Sequence, residues 1–321
     1  MILDSGIPAQ YECQIRTSLS IDLTTFLISH WRRGRAHILW STQLGNRQLA
    51  IGNEPNRKSA MRITAAIITF NEEENIRAAC ESVVWADELI VVDSQSTDKT
   101  REIAAECGAI VLNQPWPGFA AQKQFATDQA SHEWVFSLDA DERVSEELKT
   151  SIDKLREKND DKLADGYLIA RRSYYMGRWI RGGGWYPNRQ LRLFRKSLAR
   201  WEGPHIHESV KMNSGAQVTR LSGNILHYPG RDAAYDHRMI GERYAPLAAR
   251  QMFEAGRRTS PFKISTAGPA AFVRSLILKG GLRDGLAGWS IASFAAHHAF
   301  LKHLMLWEMQ TGKSQAQRAK G

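Results

Sequence analysis

The sequence predicts an α/β fold with a mainly parallel central sheet, followed by a helical C-terminal region. Short apolar runs of strand length recur from residue 63 onward, separated by segments of helical character. Strands covered on both faces are continuously apolar, and strands that alternate with helices form right-handed βαβ units. From Ala233 onward the pattern becomes helical. These observations place the sheet first and a set of helices after it.

The first half of the sheet is predicted from four apolar runs that end next to polar residues. These runs cover residues 63–70, 89–93, 109–112 and 134–139. Asn71, followed by three glutamates, is predicted as the N-cap of a helix that extends to about Trp85. Further helices are predicted to end at Gly108, to cover 119–130 and to begin at Ser145. Ligands of such sheets bind beyond the carboxyl ends of the strands, so the polar residues there are the candidate site.

The second half of the sheet is predicted to be richer in tyrosine and arginine. Residues 166–171 and 190–195 have the composition of strands, and Arg192 lies on the opposite face from its leucine neighbours. Arg189, Arg192 or Arg195 could therefore face a diphosphate, although a solvated strand arginine is the commoner case. The glycine-rich loop 181–187 suits a substrate loop or lid as well as an ordinary turn.

The C-terminal region is predicted as helices whose apolar faces are flanked by basic residues. These segments are 235–255, 270–279 and 285–301. The last one is at the lower length limit for a membrane span and contains polar residues, so spanning is not expected. Such a surface could rest on an anionic membrane or dock with a second copy in a homo-oligomer. Ordinary core helices of a C-terminal bundle are the alternative.

Composition limits the classes of partner. The chain has 321 residues, a formal net charge of +9 and an isoelectric point of about 9.5. This charge suits nucleic acid, an anionic membrane or a phosphorylated substrate. The basic residues are dispersed and accompany no recognised reader motif, so nucleic acid is disfavoured. Three scattered cysteines are too few for a disulfide framework or a zinc site, which favours a reducing cytosol.

The first 60 residues do not resemble the rest of the chain. We predict that 1–60 is a poorly ordered extension, which would not be translated if Met61 is the true start. The amino terminus lacks a basic segment followed by an apolar one, so no secretory signal is recognised and a cytoplasmic location is expected. The predicted organisation is an α/β domain over 61–230 and a helical region over 231–321.

Two carboxylates at the end of the fourth apolar run suit a divalent cation. Asp139 and Asp141 are one residue apart at a strand end, where they can share a hard cation such as Mg²⁺ or Mn²⁺. On these residues alone, an aspartate-rich turn is an equally good interpretation.

The sequence has no Gly-x-Gly-x-x-Gly after a strand, and Gly312-Lys313-Ser314 lacks the upstream glycine of a P-loop. Dinucleotide-binding and P-loop NTPase interpretations therefore lose most of their support.

Three polar motifs follow three of the predicted strands in order. They are Thr69-Phe-Asn71-Glu72, Asp93-Ser94-Gln95-Ser96-Thr97-Asp98 and Asp139-Ala-Asp141-Glu142. With this set the sequence resembles the family 2 glycosyltransferases of the GT-A fold. It is more closely similar to the branch that contains lipopolysaccharide core β-1,4-glucosyltransferases. The resemblance covers about residues 63 to 230, and the helical tail more loosely.

The resemblance implies roles for the residues of these motifs. The nucleoside pocket would be lined by Thr69, Asn71, Glu72 and Asp93, with Ser94 and Ser96 supporting the loop. The Asp93 carboxylate would accept a hydrogen bond from uracil. Asp139 and Asp141 would hold Mg²⁺ or Mn²⁺ against the diphosphate, and His227 could complete the metal shell. Lys123 is a plausible donor-site contact, although related proteins often have Arg-Asn where this chain has Lys123-Gln124.

An inverting transferase also needs a general base beside the acceptor hydroxyl. The segment around His207 and Glu208 resembles the His-Glu signature of the family, and Glu208 is the predicted base, with Glu202 as the second candidate. A salt-bridge partner is the alternative role of Glu208. His207 could orient the base or contact phosphate.

The expected function is therefore that of a cytoplasmic, membrane-peripheral, inverting and metal-dependent glycosyltransferase. It would move a hexose, expected to be glucose from UDP-glucose, onto a lipopolysaccharide core or another envelope glycolipid. A nucleotidyltransferase is an alternative, but it needs a loop rich in glycine and lysine where Asn71 is followed by glutamates. The alternative from another class is a noncatalytic protein that binds membranes or anions.

Overall fold

The structure is a computed structural model that describes residues 61–203, 208–230 and 232–318. The predicted extension 1–60 and His207 lie outside the described residues, so neither prediction about them is tested. None of the helices in the described part of the chain is long and apolar enough to cross a membrane.

One side of the sheet consists of parallel strands, as predicted. These strands are β1 (Ile63–Thr69), β2 (Glu88–Asp93), β3 (Ile110–Asn113) and β4 (Trp134–Asp139), arranged in the order β3-β2-β1-β4. In the register, Thr69 of β1 lies beside Asp93 of β2, and Ile68 of β1 lies beside Asp139 of β4. The polar residues after these strands therefore meet at one edge.

The other side of the sheet is mixed in direction. Its strands are β5 (Glu142–Val144), β6 (Gly166–Tyr175), β7 (Arg178–Trp179), β8 (Asn188–Arg195) and β11 (Val218–His227). Strand β8 runs antiparallel between β4 and β6, β11 is parallel to β6, and β5 is antiparallel to β11. A separate hairpin is formed by β9 (Ala199–Glu202) and β10 (Ser209–Met212). The three-residue strand β5 was not predicted.

Helices connect the first strands and follow the last one. The connecting helices are α1 (Ile76–Glu81), α2 (Thr100–Glu106), α3 (Phe119–Asp128) and α4 (Glu146–Arg156). The C-terminal helices are α5 (Ala233–Met239), α6 (Ala245–Glu254), α7 (Pro261–Val273) and α8 (Gly285–Arg318). Wider π-helical turns extend α5 over Ile240–Tyr244 and α7 over Arg274–Leu278. The α/β class with a C-terminal helical region is thus confirmed, whereas the boundary near residue 231 stays a prediction.

The sheet is buried on both faces, which explains the continuous apolar runs. Ile67 and Phe136 point into one apolar cluster, together with side chains of α1 and α4. Ile68 and Val135 point into a second cluster, which includes Phe125 of α3. Because neighbouring residues of a strand alternate between faces, a strand covered on both sides needs an apolar residue at every position.

The predicted N-cap at Asn71 is wrong. Helix α1 begins at Ile76 and ends at Glu81, whereas Asn71 adopts a left-handed backbone conformation with φ of +51°. Asparagine tolerates this conformation better than most residues. The Asn71 side chain accepts a hydrogen bond from the backbone N–H of Thr97 at 2.8 Å, so it joins the loops after β1 and β2.

Gly223 permits a close contact between β11 and the start of α4. Its φ is +92°, and a Cβ atom at this position would lie 2.3 Å from the backbone nitrogen of Leu148. Leu148 is in the first turn of α4, where its N–H donates to the Oγ of the N-cap Ser145. The same Ser145 Oγ accepts from the backbone N–H of Asn224 at 3.1 Å. A side chain at 223 would therefore separate two elements that share one capping hydroxyl.

Gly223→Ala is expected to destabilise the fold much more than Gly215→Ala. Both glycines have a positive φ, but a Cβ atom at Gly215 would meet no other atom within 4 Å in the described structure. Gly215→Ala is the control. It should lose stability only through the strain of a left-handed alanine, about 1 kcal/mol, or about 2–4 °C in Tm. Gly223→Ala adds the steric overlap and should lose roughly 3 kcal/mol or more in total. Thermal unfolding of both variants measures this, and equal losses would contradict the close contact.

Candidate active site

The ends of β1 and β2 are joined by hydrogen bonds around a buried carboxylate. Asp93 is fully buried and accepts from the backbone N–H of Ser96 at 2.8 Å and from the Ser96 hydroxyl. The Ser94 N–H donates to the Thr69 carbonyl at 2.9 Å, and Gln122 of α3 donates to the Ser94 hydroxyl at 3.1 Å. The predicted nucleoside-pocket residues therefore lie together, and Asp93 also holds its own loop in shape.

The residues after β1 contribute polar groups to the same edge. Thr69 is buried, and its hydroxyl has no hydrogen-bond partner among the described residues. Burial raises the pKa of the Glu72 carboxyl, a hydrogen bond from Asn75 opposes this, and the negative charge of Asp141 adds to the rise. Glu72 and Asp141 are therefore close enough to affect one another, which joins the first motif to the third.

A buried lysine connects Asp139 to the predicted base. Lys123 of α3 is 4% exposed, and its Nζ lies 2.9 Å from Asp139 Oδ1 and 3.1 Å from Glu208 Oε1. The ammonium group also lies 5.1 Å from the centre of the Trp201 ring. One cation thus holds two carboxylates that are separated by 69 residues of the chain.

A buried arginine binds the other side of Asp139. The Nη2 of Arg192 lies 3.1 Å from Asp139 Oδ2 and 3.0 Å from Glu142 Oε1. Burial alone would raise the pKa of the Asp139 carboxyl, but the charges of Lys123 and Arg192 outweigh burial and hold that pKa well below its usual range. Burial opposes the charged form of Arg192, and the two carboxylates raise its pKa above the ordinary value. Asp139 and Arg192 are therefore both charged.

Glu142 fixes the turn that contains Asp141. Its Oε2 accepts from the backbone N–H of Asp139 at 3.0 Å, and Arg171 of β6 lies 3.3 Å from its Oε1. The strand ends at Asp139, so Asp141 lies in the turn before β5.

Asp141 is paired with the predicted metal ligand His227. Asp141 Oδ2 lies 3.2 Å from His227 Nε2, and His227 Nδ1 lies 3.0 Å from the hydroxyl of Ser173. A hydrogen-bond partner at the second ring nitrogen fixes the orientation of a histidine ring, as it does for histidines that bind metals. Asp141 is about a quarter exposed, so its carboxylate remains accessible. These two side chains fit a divalent cation that takes its remaining ligands from phosphate oxygens and water.

The three predicted metal ligands do not share the same partners. Asp141 and His227 are adjacent, whereas Asp139 faces Lys123 and Arg192. Among the described residues, no group of three or more His, Cys, Asp and Glu side chains is arranged to hold a metal ion. Glu202, the second candidate for the base, is exposed on β9, where it pairs with Ser209 of β10.

The sequence did not predict several residues of this site. They are Gln122, Glu142, Arg171 and Ser173. Glu142 belongs to the third polar motif and could have been considered because it continues the acidic run. Arg171 and Ser173 had no motif signal, since their importance depends on β6 lying beside β8 and β11.

The chain is similar to known glycosyltransferases along most of its length. A family model described as "Glycosyl transferase family 2" matches residues 64–219. The lipopolysaccharide core biosynthesis glycosyltransferase LpsC of Rhizobium meliloti is 31% identical over 259 residues, which cover 78% of this chain and 94% of that protein. An uncharacterised glycosyltransferase of Rickettsia typhi is 29% identical over 258 residues, 77% of this chain and 87% of that protein.

Similarity to solved structures is weaker. The crystal structure of Staphylococcus aureus TarS 1-349 in complex with UDP is 15% identical, covers 78% of this chain and 92% of that chain, and has a TM-score of 0.40. A likeness at this level adds nothing to the assignment, which depends on the sequence relatives. Because LpsC is similar at 31% identity over more than two thirds of both chains, the chain belongs to the family 2 glycosyltransferases.

Proposed function

We propose that the protein is an inverting, metal-dependent hexosyltransferase that moves glucose from UDP-glucose onto a lipopolysaccharide core or another envelope glycolipid. The acceptor class is carried over from LpsC, whose name places it in lipopolysaccharide core biosynthesis. The contact that supports the chemistry best is the Lys123 bridge between Asp139 and Glu208. This contact brings a carboxylate from the later half of the chain to the edge where the nucleotide motifs lie.

Glu208 is the proposed general base. Its carboxylate is about one fifth exposed and reaches the Lys123 cluster from the segment that precedes β10. In that position it can accept the proton of an acceptor hydroxyl while the hydroxyl oxygen bonds to the anomeric carbon and the bond to the diphosphate breaks. Lys123 balances the charge of Glu208 before the acceptor arrives.

Asp141 and His227 are the proposed ligands of the divalent cation. When bound, Mg²⁺ or Mn²⁺ would neutralise the charge that develops on the leaving diphosphate. Ser173 would keep the His227 ring in place, and the Asp141 backbone is held by a hydrogen bond from the Tyr228 N–H to its carbonyl at 2.8 Å. We assign Asp139 to positioning Lys123, since both of its oxygens face cations.

The loop after β1 gives no support to the nucleotidyltransferase alternative. It contains Asn71 and a run of glutamates, and the Asn71 side chain is used to hold the Thr97 backbone. A noncatalytic anion-binding protein would share the charge of this chain but would not turn over a nucleotide sugar.

Purified protein is expected to release UDP from UDP-glucose when a divalent cation is present. A screen of UDP-, ADP- and GDP-sugars, with nucleotide release as the readout, should show the highest rate with UDP-glucose and no release after chelation of the cation. Transfer to the acceptor should give a β-linked product from the α-linked donor. If none of the sugar nucleotides gives nucleotide release with any divalent cation, the noncatalytic alternative is favoured. An α-linked product would exclude inversion.

Asp141→Asn should reduce transfer on the order of a hundredfold or more, because it removes a charged ligand of the cation. Mn²⁺ binding, measured by electron paramagnetic resonance with UDP present, should weaken in parallel. Asp153→Asn changes an exposed aspartate on α4 and should leave both measurements unchanged. Near-normal transfer and Mn²⁺ binding by Asp141→Asn would remove this residue from the metal site.

Glu208→Gln should lower turnover by about 10²–10⁴-fold, the usual contribution of a general base. UDP-glucose affinity, measured by calorimetry, should change little, because the proposed role of Glu208 is toward the acceptor. Glu202→Gln is the matched control and should retain turnover. If Glu208→Gln lowers only the Tm while turnover persists, its role is that of a salt-bridge partner, and a larger loss in Glu202→Gln would make Glu202 the base.

A further inference from the structure

The segment 273–289, which we name the apolar tip, exposes large hydrophobic side chains where α7 ends and α8 begins. Their exposed fractions extend from 47% to 77% for the side chains of Val273, Ile277, Leu278, Leu282, Leu286 and Trp289. The ring centres of Phe272 and Trp289 are 4.8 Å apart, so the two ends of the tip lie side by side. A group of large exposed apolar side chains such as this marks a site that binds a protein, a ligand or a membrane.

The charges of the apolar tip are almost entirely positive. Arg274, Lys279 and Arg283 are exposed between the apolar residues. The only acidic residue of the segment is Asp284, which is fully buried. An apolar surface interleaved with exposed cations is complementary to the interface of a bilayer that contains anionic lipids.

Buried polar contacts hold the tip in shape without the exposed leucines. The Asp284 carboxylate accepts from the backbone N–H groups of Arg181 and Gly182, at 3.0 and 2.9 Å. The Gly183 N–H donates to the Lys279 carbonyl at 2.9 Å, and the Ser275 hydroxyl donates to the Gly183 carbonyl at 2.7 Å. The exposed leucines are thus available for a partner without loss of the fold.

The same contacts bind the glycine-rich loop 181–187 to the tip. A Cβ atom at Gly182 would lie 2.4 Å from the Gly280 carbonyl oxygen, so the two backbones touch. The glycines therefore serve close packing, and the loop is not free along this part. Arg178 of β7 also donates to the Asp284 carbonyl at 3.0 Å.

A chain of contacts leads from the tip to the candidate active site. Trp179 follows Arg178, and its ring contacts that of Tyr228 at 5.1 Å. Tyr228 follows His227, and its N–H donates to the Asp141 carbonyl. The tip is therefore joined, through β7 and the end of β11, to the part of the site that holds the proposed metal ligands.

We propose that the apolar tip inserts into the interface of an anionic bilayer and so places the active site beside a lipid-linked acceptor. The choice of acceptor rests on the proposed function; insertion itself rests on the exposed leucines and the cations among them. A second copy of the chain is a poorer occupant. A two-fold symmetric dimer would place the same patch on both sides and bring the cations of one copy against those of the other.

Vesicle sedimentation of the full chain tests this proposal. The chain should bind vesicles containing phosphatidylglycerol more tightly than pure phosphatidylcholine vesicles, and high salt should weaken the binding. A variant with Leu278→Gln, Leu282→Gln and Leu286→Gln should lose about tenfold or more in affinity for the anionic vesicles. The control is Val84→Gln, Ile110→Gln and Val218→Gln, which changes exposed apolar residues outside the tip and should bind like the unmodified chain.

Unchanged binding by the leucine variant, or equal binding of the unmodified chain to neutral vesicles, would overturn the proposal. The proposal would also be overturned if the unmodified chain binds no vesicles but self-associates, and the leucine variant abolishes this self-association. If the leucine variant does not fold, Arg274→Gln, Lys279→Gln and Arg283→Gln should still lower binding to anionic vesicles, and no loss there would also overturn it. The assay uses neither donor nor acceptor, and UDP release needs no vesicles, so failure of one proposal does not imply failure of the other.

Discussion

The buried ion pairs of Arg192 with Asp139 and Glu142 are the interaction on which the site depends. Arg192 is on β8, and its two partners come from the end of β4 and the start of β5. A buried guanidinium is tolerated only when its charge is matched, so these three elements must lie together. Glu142 then also accepts from the Asp139 N–H and shapes the turn that directs Asp141 toward His227. The positions of Lys123, Asp141 and His227 all follow from this one cluster.

The sequence predicted those elements whose signal is local. Strands β1 and β4 are apolar at almost every position because both faces are covered, and the Ser145 cap acts on the helix that directly follows it. Asn71 also had a local signal, but its side chain binds the Thr97 backbone 26 residues away, and this long-range contact prevailed. Strand β5 has only three residues and is defined by pairing with β11, which spacing along the chain does not reveal.

The same distinction applies to the site. Alternation along β8 predicted that Arg192 lies opposite both leucine neighbours, but the register shifts at this residue, and Leu191 and Leu193 belong to different apolar clusters. Its partner Glu142 is 50 residues away and was not predicted. The spacing of Asp139 and Asp141 suggested a shared cation, since alternate residues of a strand point to one side. The strand ends at Asp139, however, so Asp141 belongs to a turn and the two carboxylates have different partners. The motifs predicted that these residues lie at one edge of the sheet, whereas their pairing depends on the folded chain.

The shared lysine has an electrostatic consequence for the way in which the proposed ligands would affect one another. Around it, the three cations Lys123, Arg171 and Arg192 are balanced by the three carboxylates Asp139, Glu142 and Glu208. The carboxylate of Asp141 lies outside this neutral set, with Glu72 nearby. The cluster therefore has no surplus positive charge to attract a diphosphate. A divalent cation bound without the diphosphate would carry more positive charge than the single carboxylate of Asp141 neutralises. For the proposed cation at Asp141 and the proposed diphosphate donor, each ligand would favour the binding of the other, and linkage requires that both affinities rise by the same factor. The charge balance of this cluster therefore predicts positive cooperativity between the two proposed ligands.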